Sequence, residues 1–441
     1  MQQDIFQYIA SHYETPTYVF DMRNLWQRGE VLGNSLPDGT KLCFAMKANP
    51  FLAGVLTKLV DRLEVCSPGE YEICIREQID PEKIVVSGVN KTKASMERIL
   101  SYSHGAGIYT IESELHYQIL KHCAGKINKR LKVLLRLSSG NQFGMDKTTL
   151  ERVLAMIQAD DRMDIIGIHY YSGTQKKQQK IENELQQLNS YGAILQNNYH
   201  INDMELEYGP GLTISYFEDT NSDKSEKEET KDQLDILSSL LLDMDTYGDI
   251  SIELGRFLTS DCGYYMTQIM DMKHTDKTGF VIVDGGIHQI NYYGQMMGMK
   301  KPYMRLIKMP NHTENITVNT DKHAEKAPDK ALDADINIAS DTIVNTHAQN
   351  TNKWTICGSL CTVNDVLVRQ VDLDDFNIGD ILVFERCGAY AVTEGMALFL
   401  SRELPQVLLV DLEGNIQILR KKTEISLLNG KMEEKEHGRI N

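Results

Sequence analysis

Lys47 stands at the end of a short apolar run, Leu42-Cys43-Phe44-Ala45-Met46, and is followed by Ala48-Asn49-Pro50. The run reads as a buried strand, and the Asn-Pro pair ends it. A lysine at such a mouth loses solvation, which disfavours its charged form and leaves a nucleophilic amine of the kind that forms Schiff bases. The competing reading is a solvated lysine just beyond a strand, and the rest of the chain decides between the two. Other strand-like runs also end on groups with chemistry. These are Glu64 and Ser67, Ser87, Arg136, Tyr171-Ser172-Gly173-Thr174, Gly209-Pro210-Gly211, and Glu253 with Gly255-Arg256. His169 and Glu253 lack a cluster with ligand spacing, so no metal is expected. No nucleophilic triad is present either. The inventory is an imine-forming amine, a glycine-rich turn, an arginine, and an acid at strand depth.

The elements that must position these groups repeat with a rhythm. Runs near 42–46, 63–66, 84–87, 107–111, 132–137, 165–171, 204–208 and 250–254 alternate with helical stretches such as 68–78, 92–104, 146–158, 178–198 and 233–246. Eight strands alternating with helices predict an α/β architecture, a parallel (β/α)8 barrel of the TIM type, with its site at the C-terminal strand ends. A doubly wound open sheet would want a glycine-rich dinucleotide turn after an early strand, and the chain has none. Beyond Arg256 the runs 280–284, 354–357, 381–384, 406–411 and 416–420 are separated by turns, which predicts a β-rich second domain. Thr17–Asp21 is strand-like and can pair into it. The expected division is a barrel over 24–262 and a β-rich domain of 1–23 with 263–441. Polar segments at 218–232 and 311–353 read as surface insertions.

Composition narrows the class of protein. A chain of 441 residues has room for two domains, and its formal charge of −16 argues against nucleic acid as a partner. No run approaches the roughly 18 apolar residues of a membrane span, and the N-terminus lacks a signal peptide's pattern. Eight cysteines at irregular spacing form no zinc pattern and read as reduced thiols, so a cytoplasmic location is expected.

Gathered at the strand ends of one barrel, the inventory describes pyridoxal phosphate. Lys47 would form the imine, while the amides of 209–211 and Arg256 would bind the phosphate. Glu253 would pair with the pyridine nitrogen and keep it protonated, making the ring an electron sink. Taken singly, Glu253 also reads as an ion-pair partner of Arg136 or Arg256, and Gly-Pro-Gly as a plain turn.

From about Thr17 to Leu428, apart from the two insertions, the chain resembles the fold-type III pyridoxal-phosphate decarboxylases, which act on diaminopimelate, ornithine and arginine. The motifs that carry the resemblance are Ala45-Met46-Lys47-Ala48-Asn49, Glu64-Val65-Cys66-Ser67-Pro68-Gly69-Glu70, Gln142-Phe143-Gly144-Met145 and Gly167 to Gln175. Glu253-Leu254-Gly255-Arg256, Val283-Asp284-Gly285-Gly286, Cys357-Gly358-Ser359-Leu360-Cys361 and Gly388-Ala389-Tyr390 complete them. The resemblance implies a barrel of the alanine-racemase type and a head-to-tail homodimer with shared active sites. It makes Lys47 the cofactor anchor, with Glu64, Arg136, Tyr171, Thr174, Gly209, Gly211, Glu253, Gly255, Arg256 and Tyr390 around the cofactor. It also implies that Cys361 and Asp365 reach the neighbouring subunit's site, that Cys361 assists protonation, and that Tyr390 donates to the phosphate.

Departures from the family pattern bear on the substrate. Tyr171 occupies the position of the ring-stacking histidine, while His169 falls on the earlier, less functional place in that motif. The usual triple glycine is Gly209-Pro210-Gly211, which removes an amide donor. The usual Glu-Pro-Gly-Arg has Leu254 in place of proline. Diaminopimelate decarboxylases follow the cysteine with a glutamate that recognises the distal amino group, whereas this chain has Thr362 and Val363. The arginine expected to hold a substrate carboxylate has no clear match, Lys300 or Lys301 being nearest and Arg305 beyond. The expected activity is decarboxylation of an amino acid in the manner of diaminopimelate decarboxylase. The alternative is decarboxylation of an amino acid tethered to an acyl carrier protein. A racemase would oppose the lysine with a tyrosine where this chain offers Cys361. A non-catalytic binding protein could dispense with Lys47, Arg256, Cys361 and Tyr390, and all four are present.

Overall fold

The computed structural model describes residues 1–102, 105–201, 203–218, 225–275, 278–292, 298–310 and 353–430. Strand β1 (Thr17–Asp21) precedes a closed parallel barrel. Its eight strands are β2 (Lys41–Ala45), β3 (Arg62–Val65), β4 (Ile84–Val86), β5 (Ile108–Ile111), β6 (Leu131–Arg136), β7 (Met163–Tyr171), β8 (Glu205–Gly209) and β9 (Asp249–Leu254). Helices cross between successive strands, as right-handed parallel connections require. Closure pairs β2 with β9, so Cys43 faces Glu253 across that ladder, while on the other side of β2 Ala45 faces Glu64 of β3. Two carboxylates from distant parts of the sequence thereby flank the strand that leads to Lys47.

Local sequence explains how strands hand over to helices. After β3, Ser67 caps the helix Pro68–Arg76 by accepting from the Glu70 amide at 3.1 Å, and proline fills its first turn. Glu70 returns its carboxylate to the Cys66 amide at 2.6 Å, which locks the strand end. Polar residues 218–232 read as an excursion, but Glu226–Leu242 is a helix that begins inside that segment, earlier than the expected 233. A Ser225–Glu228 capping box starts it, and Glu226, Glu228 and Glu229 sit at the positive end of its dipole. Acidity here marks a helix N-terminus. The other expected insertion, 311–353, lies outside the described residues apart from Lys353, as do 219–224.

The second sheet contains β10 (Gly263–His274), β11 (Gly279–Val283), β12 (Met304–Ile307), β13 (Lys353–Cys357), β14 (Val366–Asp372), β15 (Ile381–Glu385), β16 (Gln406–Val410) and β17 (Ile416–Arg420). Their order runs β14-β13-β11-β10-β1-β16-β17, with β15 pairing both β10 and β12. N-terminal β1 is therefore central, antiparallel to β10 and parallel to β16. The loop after β15 reaches back to the barrel. Tyr390 donates its amide to the Ala48 carbonyl at 2.6 Å, and the Asn49 side chain donates to the Gly388 carbonyl at 2.8 Å. Among the described residues no helix is long and apolar enough to cross a membrane.

Candidate active site

Lys47 sits in a three-residue turn, Met46–Ala48, immediately after β2. Its Nζ lies 2.7 Å from Glu64 Oε2, 3.4 Å from Glu253 Oε1 and 3.8 Å from Cys66 Sγ. Burial alone works against its charge, as the apolar mouth suggested. Glu64 and Glu253 outweigh that effect and hold the ammonium well above its ordinary pKa. The neutral amine expected from sequence is thus corrected: without its aldehyde partner this lysine is a cation clasped by two carboxylates.

Glu253 faces the same contest with the opposite sign. It is buried, which disfavours its carboxylate, but Lys47, a hydrogen bond to His169 Nε2 at 2.9 Å, and Arg136 keep it far below the usual carboxylate range. His169 is therefore corrected from a lesser position to a direct partner of the acid. Alternation along β7 puts His169 and Tyr171 on one face, a period-two signal that was available in the sequence. Deeper in the barrel lies Glu207, fully buried and 3.5 Å from Arg62. Burial and the negative charge of Glu253 push its pKa well up against the pull of Arg62, which favours its protonated form.

A narrow recess opens beside Lys47. Tyr171, Thr174, Gly211, Glu253, Gly255, Arg256 and Tyr390 line it together with Lys47. Tyr171 places its ring 5.7 Å from Lys47 Nζ. Gly209 must lack a side chain because a Cβ there would lie 2.4 Å from the Tyr171 ring. On the same recess, the Arg256 guanidinium donates to Tyr216 Oη at 2.9 Å and lies 4.4 Å from the centre of the Tyr390 ring. Burial raises the Tyr390 phenol, which stays protonated and able to donate. Tyr216, with its pKa pushed up to about 12 by burial, was not anticipated from sequence.

Arg136 stands outside that lining. It is buried, pairs with Glu112 at 3.3 Å and stacks over Phe143 at 5.0 Å. Lys301 is engaged by Glu218 at 2.8 Å. Cys361 and Thr362 belong to the turn between β13 and β14, where Cys361 is exposed. None of Lys301, Cys361, Thr362 and Asp365 lines the recess. Asp365 is engaged within its own turn. Its two carboxylate oxygens accept from the Ile287 and Leu360 amides, each at 2.8 Å, so it staples the turn from inside.

The donor set fits pyridoxal phosphate. A primary amine stands beside a carboxylate held ionised, and an arginine, a phenol and a glycine turn lie on the same recess. A Cβ on Gly211 would come within 2.3 Å of the Gly173 carbonyl, so that turn tolerates no side chain.

Known proteins agree with this reading. A diaminopimelate decarboxylase of Aquifex aeolicus is 26% identical over 303 residues, covering 64% of this chain and 69% of that protein. The L-glutamyl-(BtrI acyl-carrier protein) decarboxylase of Niallia circulans is 24% identical over 436 residues, 94% of this chain and 92% of that one. The crystal structure of diaminopimelate decarboxylase from M. jannaschii superposes with a TM-score of 0.75 at 20% identity, covering 97% and 94% of the two chains, and shares the fold. Residues 23–260 match the pyridoxal-binding domain of the pyridoxal-dependent decarboxylases. With that match over more than half its length, the chain belongs to the pyridoxal-dependent decarboxylases and takes pyridoxal phosphate as its cofactor.

Proposed function

We propose that this decarboxylase removes the α-carboxylate of an amino acid whose distal end carries no free ammonium, as when it is tethered to an acyl carrier protein. The observation behind this is the loop after Cys361. Val363 is 91% exposed and uncharged, and the nearby carboxylate, Asp365, is buried and occupied by two backbone amides. A cationic distal group would find no acid on that loop, and desolvating it without a partner costs several kcal/mol. The Niallia relative, matched over nearly its full length, acts by its name on a carrier-bound glutamyl group.

Residues 24–262 would form the cofactor domain, and 1–23 with 263–441 the second. Lys47 would anchor the cofactor, Glu253 would hold its ring nitrogen, and Gly209, Gly211, Gly255, Arg256 and Tyr390 would surround its phosphate. Thr174 would border that end, Tyr171 would cover the ring, and Arg136 with His169 would support Glu253. Bound pyridoxal phosphate supplies the electron sink that decarboxylation requires. Glu64, 2.7 Å from Lys47 Nζ, steadies the ammonium and accepts its proton when the amine must be neutral. Loss of carbon dioxide leaves an electron pair at Cα, and a proton returns there. Cys361, exposed within its own subunit, would deliver that proton across a homodimer interface. Lys301 and Thr362 would meet the substrate from the same side.

Two outcomes test this reading. Carbon dioxide release should be fast with a glutamyl group on its carrier and slower by about 10²-fold or more with meso-diaminopimelate, lysine or ornithine. Equal or faster turnover of diaminopimelate sinks the substrate proposal while leaving decarboxylation intact. Sharing of sites is checked by mixing subunits. Lys47→Ala and Cys361→Ala chains, each inactive alone, should regain activity when unfolded and refolded together. Continued inactivity of the mixture would place Cys361 outside a shared site.

A further inference from the structure

Beneath the phosphate end of the recess lies a buried ammonium that the chemistry above does not use. Lys176 is 5% exposed, and its Nζ donates to Glu184 Oε2 at 2.7 Å and to the Gly209 carbonyl at 2.8 Å. Weaker contacts reach Ser172 Oγ at 3.3 Å and Tyr208 Oη at 3.4 Å. Its backbone amide donates to the Gly211 carbonyl at 2.8 Å. One residue thus takes the carbonyls on both sides of Pro210.

Proline has no amide hydrogen, so the middle of this turn cannot donate to an anion. Gly211 holds a left-handed φ of 59°, and a Cβ there would meet the Gly173 carbonyl and the Lys176 stem. A turn short of one donor depends more on how the remaining amides are aimed. We infer that Lys176 is a positioning residue for the cofactor's phosphate, clamping Gly209–Gly211 from behind to offset the donor lost at Pro210. The inference rests on assigning this turn and Arg256 to the phosphate. Glu184 lies against the ammonium and cancels most of its field, so Lys176 acts through geometry. The purely structural reading is that Lys176 and Glu184 tie the helix Gln178–Tyr199 to the barrel and do nothing for the cofactor.

Binding of two ligands to the full-length chain stripped of cofactor separates these readings. Pyridoxal 5′-phosphate and pyridoxal share the ring and aldehyde and differ in the phosphate. Lys176→Met is combined with Glu184→Gln so that no buried charge is left alone. This double variant should bind pyridoxal 5′-phosphate about tenfold more weakly, the loss expected for a misaimed charge-assisted hydrogen bond, and bind pyridoxal as before. Adding Pro210→Gly should restore part of the loss. Should the double variant not fold, Lys176→Arg replaces it, because the planar guanidinium cannot reproduce the ammonium's contacts, and the same phosphate-selective loss is expected. Equal weakening of both ligands, no weakening, or no recovery with Pro210→Gly overturns the inference. Arg256→Met is the control for the underlying assignment. If it too leaves the preference for the phosphorylated ligand intact, the assignment of the phosphate end has failed, whatever Lys176 does.

Discussion

Lys47→Ala is expected to lower kcat by about 10³-fold or more and to destabilise the folded chain at neutral pH. The first effect follows from losing the amine that would hold the cofactor. The second follows from the two carboxylates left behind. Glu64 and Glu253 side chains are 2% and 3% exposed, and both face Lys47 Nζ. A third of the lysine side chain is open to solvent, which screens the pair. The expected cost is therefore about 2 kcal/mol, below that of breaking a wholly buried pair. The pH dependence carries a definite sign. The pKa of Lys47 is raised above 10.5 by folding, so its contribution is complete below that value and fades only as pH rises beyond it. The variant behaves differently in acid, because Glu253 without Lys47 takes up a proton more readily and its burial ceases to be costly. The gap in thermal midpoint between native and variant chains should be widest near neutrality and shrink below about pH 4.5. An equal gap at pH 4 and pH 7, measured by differential scanning calorimetry, would contradict this account of the lysine.

Much of this site was legible because its residues end strands whose apolar runs announce themselves. Met46, Cys66 and Leu254 each close such a run, and barrel topology places whatever follows at one rim. What sequence could not supply was lateral adjacency. Glu253 neighbours Lys47 only because β9 closes on β2, some two hundred residues away along the chain. That closure reversed the expected charge state of Lys47, since an apolar run says nothing about carboxylates arriving from the strands on either side. Lys176 was hidden for a related reason. In Gln175-Lys176-Lys177 it looks like one of several solvated polar residues, and only the approach of β8 and Glu184 makes it a buried clamp. Asp365 shows a different limit. A family position suggested an outward role, while the local turn needed its carboxylate for two amides. Short-range turn chemistry and long-range strand closure both outrank the inference from residue type.

Glu253 and Glu207 lie on adjacent strands of one barrel, yet opposite protonation is expected of them, and isosteric substitutions expose the difference. Glu253 is kept ionised by Lys47, His169 and Arg136 despite its burial. Glutamine there carries no negative charge to offset Lys47 or to hold a ring nitrogen protonated. Glu253→Gln should lower kcat/KM by about 10²- to 10⁴-fold, the range for removing a group that holds a proton in place. Glu207 is pushed up by burial and by Glu253, which favours its acid form, and glutamine mimics that form. Glu207→Gln should leave kcat/KM near that of the native chain. Acid stability gives a second, independent reading. A carboxylate whose folded pKa is depressed contributes stability above its unfolded value of about 4.5, and that contribution is lost as pH falls through the folded value. The native chain should therefore lose stability below pH 4.5 more steeply than Glu253→Gln, whereas Glu207→Gln should keep the native slope there. If the two variants lose activity equally, or if Glu207→Gln flattens the acid limb, the opposed fields at these carboxylates are wrongly assigned. Loss confined to Glu253→Gln would identify it as the acid whose charge the barrel is built to maintain, with His169 and Lys47 as its means.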